Sequence, residues 1–109
     1  MIIVNKFLVP NGYKGMTIFP FIFVNSEKHK NDVVVMNHEK IHLKQQLELL
    51  VIPFYILYLI DYAIGIAKYR NTRLAYRNIT WEKEAYRNES NLNYLKNRKW
   101  YSFMKYVTN

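Results

Sequence analysis

The sequence predicts a single α+β domain, with a small β-hairpin or sheet at the N-terminus and helices filling the remainder. Two runs rich in Ile, Val, Phe and Thr, residues 2–9 and 16–24, flank a turn-rich stretch, which is the pattern of paired strands. From Asp32 onward, apolar residues recur at helical spacing. With 109 residues, half of them hydrophobic and 17% aromatic, the chain can bury one modest core but not two, and its composition is far from that of a disordered polymer.

Each element follows from local chemistry. Pro10, Asn11, Gly12 and Gly15 supply turn residues between the two apolar runs, so a hairpin is expected. Pro20 interrupts the second run and has no N–H to donate, which places the strand around residues 19–24 at a sheet edge. Residues 25–32 read as a polar loop ending in Asp32, an N-cap for a helix reaching about Leu50. At about 100° per residue, Met36, Leu43, Leu47 and Leu50 form one stripe, expected to face the core. His38, His42, Gln45 and Leu49 form a neighbouring stripe, and Lys40, Lys44 and Glu48 take the expected solvent side. Residues 49–67 predict a strongly hydrophobic helix starting near Pro53. A basic, Asn-rich connector follows. A last helix from Thr80 or Trp81 is expected to carry Trp81, Ala85, Leu92 and Leu95 on one face, with a short aromatic end at residues 100–106.

The net charge of +8 is unevenly placed. Residues 1–67 carry six Lys against five acids, whereas residues 68–109 carry ten Lys or Arg against three. The plainer account is that these cations cover the outer faces of C-terminal helices. An anionic membrane surface is the partner such an asymmetry suits, and nucleic-acid binding, which would rest on charge alone, is not expected. Residues 1–9 lack a basic start and lead to no small-residue cleavage site, so no signal peptide is expected and the protein is placed in the cytoplasm or at a membrane. Cysteine is absent, so any metal must be held by His, Asp or Glu.

His38, Glu39, Lys40, Ile41 and His42 form an HExxH motif. On a helix, side chains four apart stack one turn above another, so both imidazoles reach one ion, while Glu39 points beside them toward water activated by that ion. Shuffling the composition would place such a motif in the chain about 0.005 times. Two of the three histidines belong to it, and the third, His29, lies among lysines and reads as a bystander. The expected cofactor is Zn2+, and a catalytic zinc takes three protein ligands. Glu82 and Glu84 are the candidates for the third. They point about 200° apart on a regular helix and cannot both face one ion.

The pattern His38-Glu39-Lys40-Ile41-His42 followed by Glu82-Lys83-Glu84-Ala85 resembles the HExxH and ExxA arrangement of gluzincin metallopeptidases. It is similar to the CAAX prenyl protease, HtpX and β-lactam-sensor peptidase families, and in size to the minigluzincins. Those families usually carry Asp after the Ala, where this chain has Tyr86. The segment Phe19-Pro20-Phe21-Ile22-Phe23, the motif helix and Glu84-Ala85-Tyr86 together also resemble a set of small bacterial proteins. The gluzincin resemblance runs loosely over residues 20–86 and specifically in the two motifs; it implies a zincin-like fold for the single domain of residues 1–109, with His38, His42 and Glu82 as zinc ligands and Glu39 as general base. Tyr86, one turn beyond Glu82, would donate to an oxyanion, and a peptide or protein would be the substrate, aligned on the edge strand at residues 19–24. The rival expectation is a non-catalytic or latent zincin-fold protein acting as a membrane-surface binding module.

Residues 49–67 are long enough to span a bilayer. Pro53 and Asp61 interrupt the run, and a single span would leave His42 and Glu82 on opposite sides of the membrane. The segment is therefore expected to be buried in a small core or to lie against lipid, with a spanning helix as the alternative.

Overall fold

The apolar run at residues 16–24 folds as two strands rather than one. In the computed structural model, which describes residues 1–9 and 12–107, β1 (Ile2–Val4) is followed by β2 (Gly15–Ile18) and β3 (Phe21–Val24). Strands β2 and β3 form an antiparallel hairpin with Thr17 opposite Ile22 and Ile18 opposite Phe21. The hairpin turns at Phe19 and Pro20, which are joined by a cis peptide bond. Proline fits there because a tight turn needs no ladder donor. The free side of β3 is taken by β1, which runs parallel to it with Ile3 opposite Phe23. Backbone bonds from Asn5 N to Val24 O and from Ile22 N to Met1 O, both 2.8 Å, lock that side. The sheet order is thus β1-β3-β2. Residues 21–24 form the central strand and not an edge, and the expected hairpin between the first and second runs does not form. Pro10 and Asn11 of the expected turn lie outside the described residues.

After a single helical turn, α1 (Glu27–Lys30), inside the expected loop, comes α2 (Val33–Leu49). Asp32 caps it as expected, its side chain accepting from Val34 N at 3.0 Å and Val35 N at 3.3 Å. The face assignment of α2 is overturned at its C-terminal half. Leu47 and Leu50 are exposed, whereas Gln45, Gln46 and Glu48 are buried. Burying these polar groups is tolerable because partners from distant segments satisfy them. Glu48, expected on the solvent side, pairs with Arg98 through bonds of 2.7 and 2.9 Å.

Leu50, with φ of 63°, forms a one-residue corner into α3 (Val51–Tyr69). Next come α4 (Thr72–Arg77), where a connector was expected, then α5 (Thr80–Asn88), α6 (Tyr94–Asn97) and a 3-10 turn at Ser102–Tyr106. The expected long last helix is therefore two pieces, and Leu92 and Leu95 do not continue the face of Trp81 and Ala85. Leu92 falls between helices and is exposed. A Cβ at Gly65 would lie 3.1 Å from Ala75 Cα and Cβ, so this glycine lets the backbones of α3 and α4 touch. Phe54, Ile79, Trp81 and Phe103 form one core cluster, and Ile22, Val24 and Met36 form another under the sheet. Helix α2 lies between β2 on one side and α3 and α5 on the other, so the HExxH helix is held on several sides.

Candidate metal centre

The helical period of α2 stacks His38 over His42, and α5 brings Glu82 against both. His38 Nε2 and His42 Nε2 are 3.2 Å apart. Glu82 Oε1 lies 3.2 Å from the first and 3.1 Å from the second. All three residues are buried, and these three form a group able to hold a metal ion. A tetrahedral ion with bonds of about 2.0–2.1 Å spaces its ligand atoms about 3.3–3.4 Å apart, close to the edges of the observed triangle. Two imidazoles and one carboxylate are also the donor set that zinc favours.

The protonation pattern points the same way. His42 Nδ1 lies 2.8 Å from Gln45 Oε1. The Gln45 amide is oriented by its Nε2, which donates to Glu84 Oε1 at 2.9 Å and Trp81 O at 3.1 Å. Its oxygen therefore faces His42, which must carry its proton on Nδ1. His38 Nδ1 lies 3.2 Å from Glu89 Oε2, a carboxylate that likewise requires a proton on Nδ1. In the neutral rings both Nε2 atoms are then bare lone pairs facing a carboxylate oxygen. A cation between these three converging acceptors, whether a proton or a metal ion, would relieve their repulsion. When a proton plays that part, burial lowers the affinity of His38 for it. Hydrogen bonds to Glu82 and Glu89 and the nearby carboxylate charges reverse this and hold the pKa up to about 10. His42 is likewise raised against its burial, by the charge and hydrogen bond of Glu82. Burial alone would raise the Glu82 carboxyl, but the two imidazoles hold it well below the usual carboxylate range.

Supporting residues extend outward from this triangle. Tyr58 on α3 donates to Glu82 Oε2 at 2.7 Å, leaving Oε1 for the centre. Asn37 Nδ2 donates to the backbone oxygens of Asn88, Glu89 and Asn91 at 2.8 to 3.3 Å and so ties α2 to the end of α5. Glu84 does not face the centre. Its Oε2 accepts from Arg98 Nε at 2.6 Å and from the Tyr94 hydroxyl. A chain of contacts thus runs from the buried Arg98 through Glu84 and Gln45 to the tautomer of His42. Sequence reasoning missed Gln45, Tyr58, Glu89 and Arg98 as supports. The stripe shared by Gln45 with the two histidines was the one signal for any of them.

Glu39 is buried beside the triangle, and Thr17 Oγ1 on β2 lies 2.7 Å from its Oε1. A Cβ on Gly15 would come within 3.3 Å of the Glu39 side chain, so the glycine leaves room for that carboxylate. Glu39 borders a cavity of about 210 Å³ that it shares with His42, Glu82, Tyr55 and Tyr58. It also lines a wider groove of about 790 Å³ that reaches His38 and Tyr86. Tyr86 packs edge-on against the His38 ring with centroids 4.5 Å apart, and the Arg77 guanidinium lies 3.8 Å from the Tyr86 ring centroid. The Tyr86 ring also meets Tyr76 edge-on, with centroids 6.2 Å apart, and Tyr76 lines both spaces.

Glu89 is the support least involved in the core. Glu89→Ala should weaken zinc binding by about 10–100-fold while leaving the fold intact, because it frees the His38 ring without touching a ligand. Competition with a chromogenic chelator, alongside circular dichroism, checks this. No protein family, curated protein or solved structure matches the chain.

Proposed function

We propose that this protein is a zinc-dependent peptide hydrolase with a gluzincin-like, zincin-type arrangement. The observation that carries this reading is the convergence of His38 Nε2, His42 Nε2 and Glu82 Oε1 to within 3.2 Å, with both Nδ1 atoms committed elsewhere and Glu39 alongside. Zinc held there supplies Lewis acidity, polarising a carbonyl and making water nucleophilic near neutral pH.

The residues of the chain divide the remaining work. Glu39 takes the proton from the attacking water and passes it to the leaving amine, with Thr17 fixing the carboxylate through its hydroxyl. Tyr86 and Tyr76, which both line the groove, are the phenols that would donate to the developing oxyanion. The edge available for an extended peptide is β2 rather than β3. Asn25 N bonds to Lys14 O, and antiparallel alternation then turns the Gly15 and Thr17 backbone groups away from β3. Gln46 Nε2 and Tyr55 occupy the Thr17 carbonyl. The Gly15 end of the strand borders the groove and can pair with a substrate backbone.

Incubating an unfolded protein with the zinc-loaded chain should generate new N-termini, detectable by mass spectrometry. 1,10-phenanthroline should suppress them and added zinc restore them. Cleavage that persists in the chelator, or no cleavage at all, contradicts the proposal.

A further inference from the structure

The outward face of α3 has no part in the metal centre, and its polarity is inverted. At about 100° per residue, Ile52, Ile56, Leu59, Ile60 and Ile64 fall on one side of the helix. Phe54, Tyr58, Asp61, Tyr62 and Gly65 fall on the other. The aliphatic side faces out, with Ile52 73% exposed and Leu59 and Ile64 each 60% exposed. The side bearing tyrosines and the carboxylate faces in, where Asp61 Oδ2 accepts from Thr80 N at 2.7 Å and caps α5. Asp61 is the one charged residue between positions 51 and 67, so the outward face carries no charge along that length. Exposed cations, Lys68, Arg70 and Arg73, follow directly. A continuous aliphatic helix face of this size marks an interaction surface.

We propose that this face docks on an anionic lipid bilayer. Helix α3 lies in the plane of the interface, its aliphatic side among the acyl chains and Lys68, Arg70 and Arg73 among the headgroups. Charge selects lipid over a second copy, because two chains of +8 repel one another whereas an anionic surface attracts each. The helix lies flat rather than crossing, since its inner side packs against α2, α4 and α5. A crossing α3 would carry Asp61 and Glu82 to bilayer depth, where charge is costly. Tyr58, which holds Glu82, sits on that inner side, so the metal centre lies about 10 Å, one helix diameter, from the lipid.

Flotation of the full chain with phosphatidylcholine vesicles, with and without phosphatidylglycerol, tests this independently of hydrolysis. The protein should float with the anionic vesicles and remain behind with the neutral ones, and Arg70→Gln and Arg73→Gln should each weaken binding roughly fivefold. The double variant Ile56→Asp, Ile60→Asp should lose at least ~10-fold in binding. Both positions are exposed, so its circular dichroism and zinc content should match the parent protein. Equal flotation with both vesicle types, unchanged flotation of the double variant, or no flotation overturns the proposal. So does a solution dimer, seen by sedimentation, that the same double variant splits.

Discussion

Glu39→Gln should lower the rate of peptide hydrolysis by about 10²–10⁴-fold, the range a positioned general base supplies, while the protein keeps its zinc. The two effects separate because Glu39 is not one of the three converging groups. Its carboxylate is turned toward Thr17 and the cavity, and its Oε1 is 2.7 Å from the Thr17 hydroxyl. Glutamine has the same shape and can still accept from Thr17, so packing around Gly15 and β2 should survive. What it cannot do is take a proton. The measurement is steady-state hydrolysis by zinc-loaded parent and variant proteins, with metal content determined on the same samples. A variant that retains zinc and cleaves at the parental rate would remove Glu39 from the mechanism.

Glu82→Ala and Glu84→Ala should fail in different ways, although the two residues are neighbours on α5. Glu82→Ala removes a ligand atom and should cost zinc affinity more than the 10–100-fold typical of a supporting partner. Its loss also leaves Tyr58 without an acceptor, a smaller structural effect. Glu84→Ala acts on the fold. The Arg98 and Glu84 side chains are fully buried, and breaking one side of a buried ion pair costs about 3–5 kcal/mol because it strands a charge. Glu48 remains beside Arg98 and softens this, so the lower part of that range is expected. Urea unfolding and zinc titration of both variants give the comparison. A Glu84→Ala protein of parental stability that has lost zinc would reverse the assignment.

What was legible in the sequence is what depends on short range. The stacking of His38 and His42 follows from four residues of helix. The choice of Glu82 over Glu84 rested on a motif resemblance and on helix phase, and the structure turns Glu82 toward the histidines and Glu84 toward Arg98. The α+β class followed from the change of apolar period near Asp32. The misreadings of strand edge and helix face involve partners far along the chain. Whether residues 21–24 form an edge depends on β1, some twenty residues earlier, taking their free side. Glu48 reads as a surface residue until Arg98, fifty positions later, reaches it. Leucines at positions 47 and 50 fit a core stripe, but Gln45 and Gln46 take the interior because Glu84, Trp81 and Thr17 supply their hydrogen bonds. Helix α3 was expected to be either core or lipid-facing. The inward turn of Asp61 onto Thr80 and of Tyr58 onto Glu82 distinguishes the two sides of that helix.

The central claim is that His38, His42 and Glu82 hold one zinc ion. The most direct test is elemental analysis of protein purified without chelators, as the parent chain and as His38→Ala and His42→Ala. The account predicts close to one zinc per chain in the parent and almost none in either variant, with circular dichroism showing that the variants remain folded. A metal-free parent, or zinc retained at parental stoichiometry in both folded variants, would contradict it.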